Sequence, residues 1–393
     1  MSFLSAPTLR SEAYFSPGAS EKLQRLQQSQ QLAPVALSRI CNFSLGSLVL
    51  TAKPSQKLPI EREEIRLKTA LLGIDWVNAP VDAKAVLLVF PGIGTNSRSG
   101  FAGMSAHHLS TSFPSLRVGV AVLQGHDGLP LQSTCFPATA YVSMGDTGRI
   151  IEHTSAQFPG LPLVVMACSI GAAHFTHWAG THPEKAKQCR VVGAVLVCHG
   201  YASRPAAHAV DSSGAAPFIL GAYRDILRRN VPNLEIFADD FPDFEPSKLW
   251  AAQTLREWDE ALLPVYGIQR YEDVLDAVDT TPEMLQALPM PVVFVGAAND
   301  PITPSTRLLE GQVHQLVPDS ALIHLSHGSH MAWWQGPFWQ MSQEWACDLM
   351  TELVSILADM PKRPAEQGPK KSMFCVACEA VGRMFGQSHE GSK

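Results

Sequence analysis

No stretch of this 393-residue chain offers the roughly 18 uninterrupted apolar residues of a membrane-spanning helix. The nearest, "ALSRICNFSLGSLVLTA", is broken by Arg39, Asn42 and three serines. The opening "MSFLSAPTLRSEAYF" has neither the basic stretch nor the apolar core of a secretory signal. Basic excess is also missing: the formal charge is −6, and Lys and Arg are scattered until near the C-terminus. That argues against a nucleic-acid partner. The eight cysteines show no framework spacing, and several sit in apolar runs, where Cys behaves as a small buried hydrophobe. A reducing, cytoplasmic compartment is therefore expected. No internal repeat is visible.

What is present is apolar residue in quantity, 46% against 17% charged, enough for a sizeable packed core. The length suits one large domain with insertions or two small ones. Six short runs, "AVLLVF", "VGVAVL", "LPLVVM", "VVGAVLV", "VVFVG" and "ALIHL", are apolar throughout rather than alternating. Strands buried on both faces of a parallel sheet read this way. Segments between them are long enough for crossover helices, so the fold class is α/β with a mostly parallel central sheet and helices on both faces. Between "VVGAVLV" and "VVFVG" lie roughly ninety residues, far more than one crossover needs. That segment, about 201–288, reads as a helical cap inserted after strand 6, over the end of the sheet where open α/β sheets keep their sites. The expected layout is a polar, Gln-rich and partly helical N-terminal extension over 1–57, the main domain over 58–360 and a tail over 361–393.

The run "VVMACSIGAA" (164–173) breaks from a strand into Cys168 and Ser169 and then into small residues. A nucleophile on a tight strand-to-helix turn needs small residues two positions to either side, because strand and helix nearly touch there. With Ser169 as nucleophile those positions are Ala167 and Gly171; with Cys168 they are Met166 and Ile170, which are too large. The pattern selects the serine. A serine hydroxyl needs a base, and the base needs an orienting acid, in the chain order Ser, acid, His. Asp300 follows "VVFVG" in "AANDPITP", and His327 and His330 follow "ALIHL" in "SHGSHMAWW". An oxyanion hole requires two backbone N–H groups. Ile170, directly after the nucleophile, would supply one, and Ile93 in the loop "PGIGTNSRSG" the other.

Blander readings stand beside these. Ser169 could be a buried serine, and Asp300 a turn residue before Pro301. His126 and His199 also follow strand runs but lack a matching acid, so they read as structural or pocket-lining; Asp127 reads as a turn residue. Cys375 and Cys378 form a CxxC with no second pair to complete a zinc site. No metal and no organic cofactor is expected. The tail residues Lys370, Lys371 and Arg383 flank an apolar patch that, with acylation of the two cysteines, would give a peripheral membrane contact.

With these residues in view, the chain resembles the α/β-hydrolases of the YheT-like group. "PGIGTNSRSGF" stands where that group carries HG-x-x-G-x-SRSGY, and "GSHMAWWQG" where it carries G-G-H-x-G-F followed by E-G. "YGIQRYEDVLDAV" and "AANDPITP" are similar to the segments leading to its acid. The likeness runs from about residue 60 to 355, with Pro91 in place of a His and Ala167 in place of a Gly. It implies that His330 rather than His327 is the base. It also implies an esterase or lipase acting on a small-molecule acyl ester through an acyl-enzyme on Ser169, Asp300 and His330. The alternatives are an acyltransferase using the same three residues, with an alcohol or thiol in place of water, and a catalytically inactive scaffold.

Overall fold

Side chains of a strand point alternately to opposite faces, and here both sets are apolar. In the computed structural model, which describes residues 8–29, 32–33, 35–36, 59–68, 70–130, 144–230, 238–335 and 342–361, they fill two separate cores. Leu87, Val89, Val164, Met166, Val195 and Val197 meet the helices Gly100–Ser112 and Glu344–Ala358 on one side of the sheet. Their neighbours Val86, Leu88, Val165, Ala167, Ala194 and Leu196 lie in the other core, with Ile150 and Ile151 of helix Met144–Gln157 and Phe175 and Trp178 of helix Ile170–Thr181. Burial of this kind, at about 25 cal/mol for each Å² of apolar surface, is the main term holding the layers together.

The sheet has nine strands: β1 (Ser11–Phe15), β2 (Glu61–Arg66), β3 (Leu71–Trp76), β4 (Ala85–Phe90), β5 (Leu116–Val122), β6 (Leu163–Cys168), β7 (Val191–Val197), β8 (Val292–Ala297) and β9 (Ser320–Leu325). Their spatial order is β1-β9-β8-β7-β6-β4-β5-β3-β2. The six runs singled out in the sequence form the parallel centre, from β9 through to β5. β1, β3 and β2 are antiparallel additions at the edges. This is an α/β-hydrolase fold. Counted from Glu61–Arg66, Val191–Val197 is the sixth strand, and the helical insertion follows it.

At one edge the structure adds to the sequence expectation: the N-terminal segment has helical turns at Glu21–Gln24 and Arg25–Gln28, and a strand besides. Ser11–Phe15, inside the segment read as a partly helical extension, pairs antiparallel with β9 from Phe15 opposite Ala321 to Ser11 opposite Leu325. Leu9, Leu23 and Leu26 are fully buried in the main core. A polar composition masked these three isolated leucines and a strand whose partner lies some three hundred residues away. The described part of this segment is thus built into the fold.

Among the described residues, the insertion includes the helices Ser203–Ser212, Ala216–Arg229, Pro246–Ala251, Leu255–Tyr266 and Tyr271–Val278, and Pro282–Gln286 follows them. They have their own apolar cluster, with Tyr223 stacked on Trp258 at 5.2 Å between ring centroids. Among the described residues, no helix is long and apolar enough to cross a membrane. The tail residues Lys370, Lys371, Cys375, Cys378 and Arg383 lie outside the described residues, as does the membrane contact expected of them.

Candidate active site

Every parallel strand of the centre ends on the same side, and the loops leaving those ends converge. β6 ends at Cys168, and helix Ile170–Thr181 begins two residues later, so Ser169 alone makes the turn. Its backbone pays for this with φ 54° and ψ −121°, a region that residues with a Cβ rarely adopt. The turn is tight because the helix approaches β4: a Cβ at Gly171 would lie 2.8 Å from both the Phe90 and Pro91 carbonyl oxygens. Cys168 itself points into the core, fully buried, and burial pushes its thiol up to about 12. It is no thiolate at neutral pH.

His330, after β9, lies between the other two predicted residues. Its Nε2 is 2.8 Å from Ser169 Oγ, and its Nδ1 is 2.8 Å from Asp300 Oδ2. Asp300, after β8, is buried; its Oδ1 accepts the backbone N–H of Ile302 at 2.8 Å and of Thr303 at 3.0 Å. Burial by itself would raise the Asp300 pKa, but the adjacent His330 and these two amides outweigh it and hold the carboxyl below its ordinary value. Asp300 is therefore an anion, able to hold a proton on the Nδ1 that faces it. His327, three residues earlier, is exposed and bonded to Ser326 at 3.0 Å.

Ile93 follows β4 and lines the cavities that contain Ser169. Ile170 is the first residue of its helix, so its N–H has no intrahelical acceptor. The Ile93 loop is tied down from beneath. Ser97 donates to the buried Asp75, which also pairs with Arg62. Arg62 in turn donates to the Asp127 carbonyl at 3.0 Å, and Asn96 to Asp127 Oδ1 at 2.7 Å. Asp127 thus links two site loops besides making its turn. His199 is buried, bonded to Thr176 at 3.0 Å and edge-on to Phe294; burial lowers it to about 4 and keeps it neutral. His126 faces the cavity, and burial lowers it as well.

Two residues escaped the sequence reading. The Thr303 hydroxyl lies 3.0 Å from Asp300 Oδ2, 3.1 Å from the Cys198 carbonyl and 3.3 Å from His330 Nδ1. Its place three positions after Asp300 in "DPIT" is a signal for a side-chain-supported turn. Cys198 accepts the Met331 N–H on its Sγ at 3.4 Å. Both Cys198 and Met331 hold positive φ, 51° and 57°, as Ser169 does. Among the described residues, Cys198, Asp300 and His330 are the one group whose ligand atoms lie within 4.8 Å of one another. Asp300 and His330 are already bonded to each other, so the cluster is occupied by that pair.

The cap helix Ala216–Arg229 closes over Ser169 and leaves two lobes that share it. The larger, about 320 Å³, is lined by His330, Ser329, Met331, Asn96, Asp127 and Arg229. The smaller, about 160 Å³, runs past Ile170, Ala173 and His174 toward the other cap helices.

Residues 82–333 match the family described as serine aminopeptidase, S33. The chain belongs to that family. A monoacylglycerol lipase of Saccharomyces cerevisiae is 21% identical over 289 residues, 71% of this chain; the chain spans 60% of that relative's length. Among solved structures, the serine hydrolase CCSP0084 of Cycloclasticus zankles is similar with 16% identity, a TM-score of 0.48 and coverage of 77% of this chain and 98% of the other. An arylesterase is similar with 13% identity, a TM-score of 0.48 and coverage of 87% and 99%.

Proposed function

We propose that this family member is a carboxylic ester hydrolase that works through an acyl-enzyme on Ser169. The observation that carries the reading is the position of His330, 2.8 Å from both Ser169 Oγ and the anionic Asp300. Ser169 Oγ attacks the ester carbonyl carbon, and its proton passes to His330 Nε2. The carbonyl oxygen takes the negative charge and is met by the amides of Ile93 and Ile170. Asp300 keeps the other ring proton on Nδ1 and stabilises the imidazolium. The carbon–oxygen bond to the alcohol then breaks, and His330 returns its proton to the leaving oxygen. Water, deprotonated by the same His330, repeats the sequence and frees the acid.

The need for His330 to protonate the leaving oxygen assigns the lobes. The alcohol belongs in the larger one, which His330 lines, and its Asn96, Asp127 and Arg229 suit a polar alcohol. The acyl group belongs in the smaller one, beside Ile170. Acyl transfer to an alcohol or thiol would use the same acyl-enzyme and differ only in the acceptor.

A fluorophosphonate probe tests the reading, together with turnover of p-nitrophenyl esters of graded acyl length. Labelling at Ser169 and ester turnover are expected; a folded protein that neither labels nor turns over any ester is an inactive scaffold. Product analysis with added alcohol separates hydrolysis from transfer.

A further inference from the structure

The smaller lobe is apolar along most of its wall, with Ala173, Val210, Ile219, Leu275 and Val278 facing it. His174, Ser203, Tyr223 and Thr303 add polar groups to it, and one acid stands among them. Asp259, on the cap helix Leu255–Tyr266, lines the same lobe as Ser169. Its helix does not need it: Thr254 and Glu257 close a capping box at the N-terminus, and Asp211 accepts the Leu255 N–H at 2.7 Å. Among the described residues, no donor is hydrogen-bonded to the Asp259 carboxyl, and its charged neighbour is another acid, Asp211. Asp259 is half-buried, so in the open lobe water can serve its carboxylate. An apolar acyl chain that displaced this water would leave the carboxylate without a donor, which is costly. A ligand that brings a donor would remove that cost.

We infer that Asp259 selects the acyl group, so that the chain taken by this lobe carries a hydrogen-bond donor, a hydroxyl or a protonated amine, where it passes Asp259. The inference rests on the placement of the acyl group in this lobe. Loss of water around Asp259, and then the charge of Asp211, raise its pKa to about 7, which is the sign of an acid kept short of partners. Tyr223 lines the lobe too, and both it and Tyr271 feel the Asp259 charge. Neither phenol is bonded to the carboxyl.

The test compares p-nitrophenyl alkanoates with their ω-hydroxy and ω-dimethylammonio counterparts at each chain length, at pH 8, with acetate as the short reference. For at least one length, wild type is expected to favour a donor-bearing ester over the plain one by about tenfold or more in kcat/KM. Asp259→Leu should reverse that preference and leave acetate turnover within about twofold. Asp259→Asn, of the same shape, should keep the hydroxyl preference and lose the ammonium one. Unchanged ratios at every length, with acetate turnover intact, overturn the selection by Asp259 and leave the hydrolase reading standing. No turnover of any ester by wild type, acetate included, overturns both.

Discussion

His330 Nε2 lies 2.8 Å from Ser169 Oγ, while Cys168, one residue earlier, is fully buried with its back to the site. Ser169→Ala should therefore lower kcat by roughly 10⁴- to 10⁶-fold and abolish probe labelling, because in the proposed reaction the three residues act as a unit. Cys168→Ala should keep most of the activity. Steady-state kinetics on both variants decides it, and a dead Cys168 variant would place the nucleophile one residue too late.

The two histidines after β9 differ in surroundings rather than in type. His330→Ala should stop labelling, whereas His327→Ala, which removes an exposed ring bonded to Ser326, should retain it. Circular dichroism controls for folding. Equal loss in two folded variants would leave the base unassigned.

Thr303 touches Asp300, His330 and the Cys198 carbonyl, and its hydroxyl is engaged with all three. It is a positioning residue in the proposed reaction. Thr303→Val keeps the shape and removes the hydroxyl, so kcat should fall by about tenfold with KM within about twofold, as expected when orientation is loosened. A change confined to KM would assign Thr303 to binding instead.

Gly171 is held between two backbone carbonyls that cannot swing aside. Gly171→Ala should destabilise the protein by about 1–3 kcal/mol, as overpacking does, and slow labelling of Ser169. Gly221→Ala is the control, since a Cβ there meets nothing within 4 Å. Urea unfolding of the pair should separate them, and equal midpoints would mean that the turn relaxes freely.

His199 gives a pH signature. Its folded-state pKa of about 4 lies below the unfolded value near 6.5, so as pH falls the unfolded chain takes up the proton first. Stability should drop by about 3 kcal/mol between pH 6.5 and pH 4 from this group, and no further once both states are protonated. Asp146 acts in the opposite sense: burial raises it to about 6, so its protonation favours the folded state. The difference between wild type and His199→Gln isolates the histidine. The variant should show a shallower loss of stability across that window; parallel curves would mean that His199 takes up its proton over the same pH range in the folded and unfolded protein.

The sequence by itself determined the sheet and the turn. Doubly apolar runs can be buried only on both faces, and a serine flanked at two positions by Ala167 and Gly171 fits where strand and helix touch. Asp300 and the pair His327 and His330 were legible because chain order and strand ends constrain which acid and which base can meet such a serine; the choice of His330 within the pair rested on the family resemblance. Separation in the chain hid the rest. β1 is an edge strand whose partner lies three hundred residues away, so no local pattern announces it. Thr303 and Asp127 owe their roles to distances from residues on other loops. The exposure that separates His327 from His330 is set by the path of a single turn. Asp259 reads in sequence as one more charge on an amphipathic helix. Only the packing of that helix against Ser203–Ser212, Ala216–Arg229 and Tyr271–Val278 turns it toward Ser169's cavity, because which face of a cap helix meets the substrate is decided by the other helices it packs against.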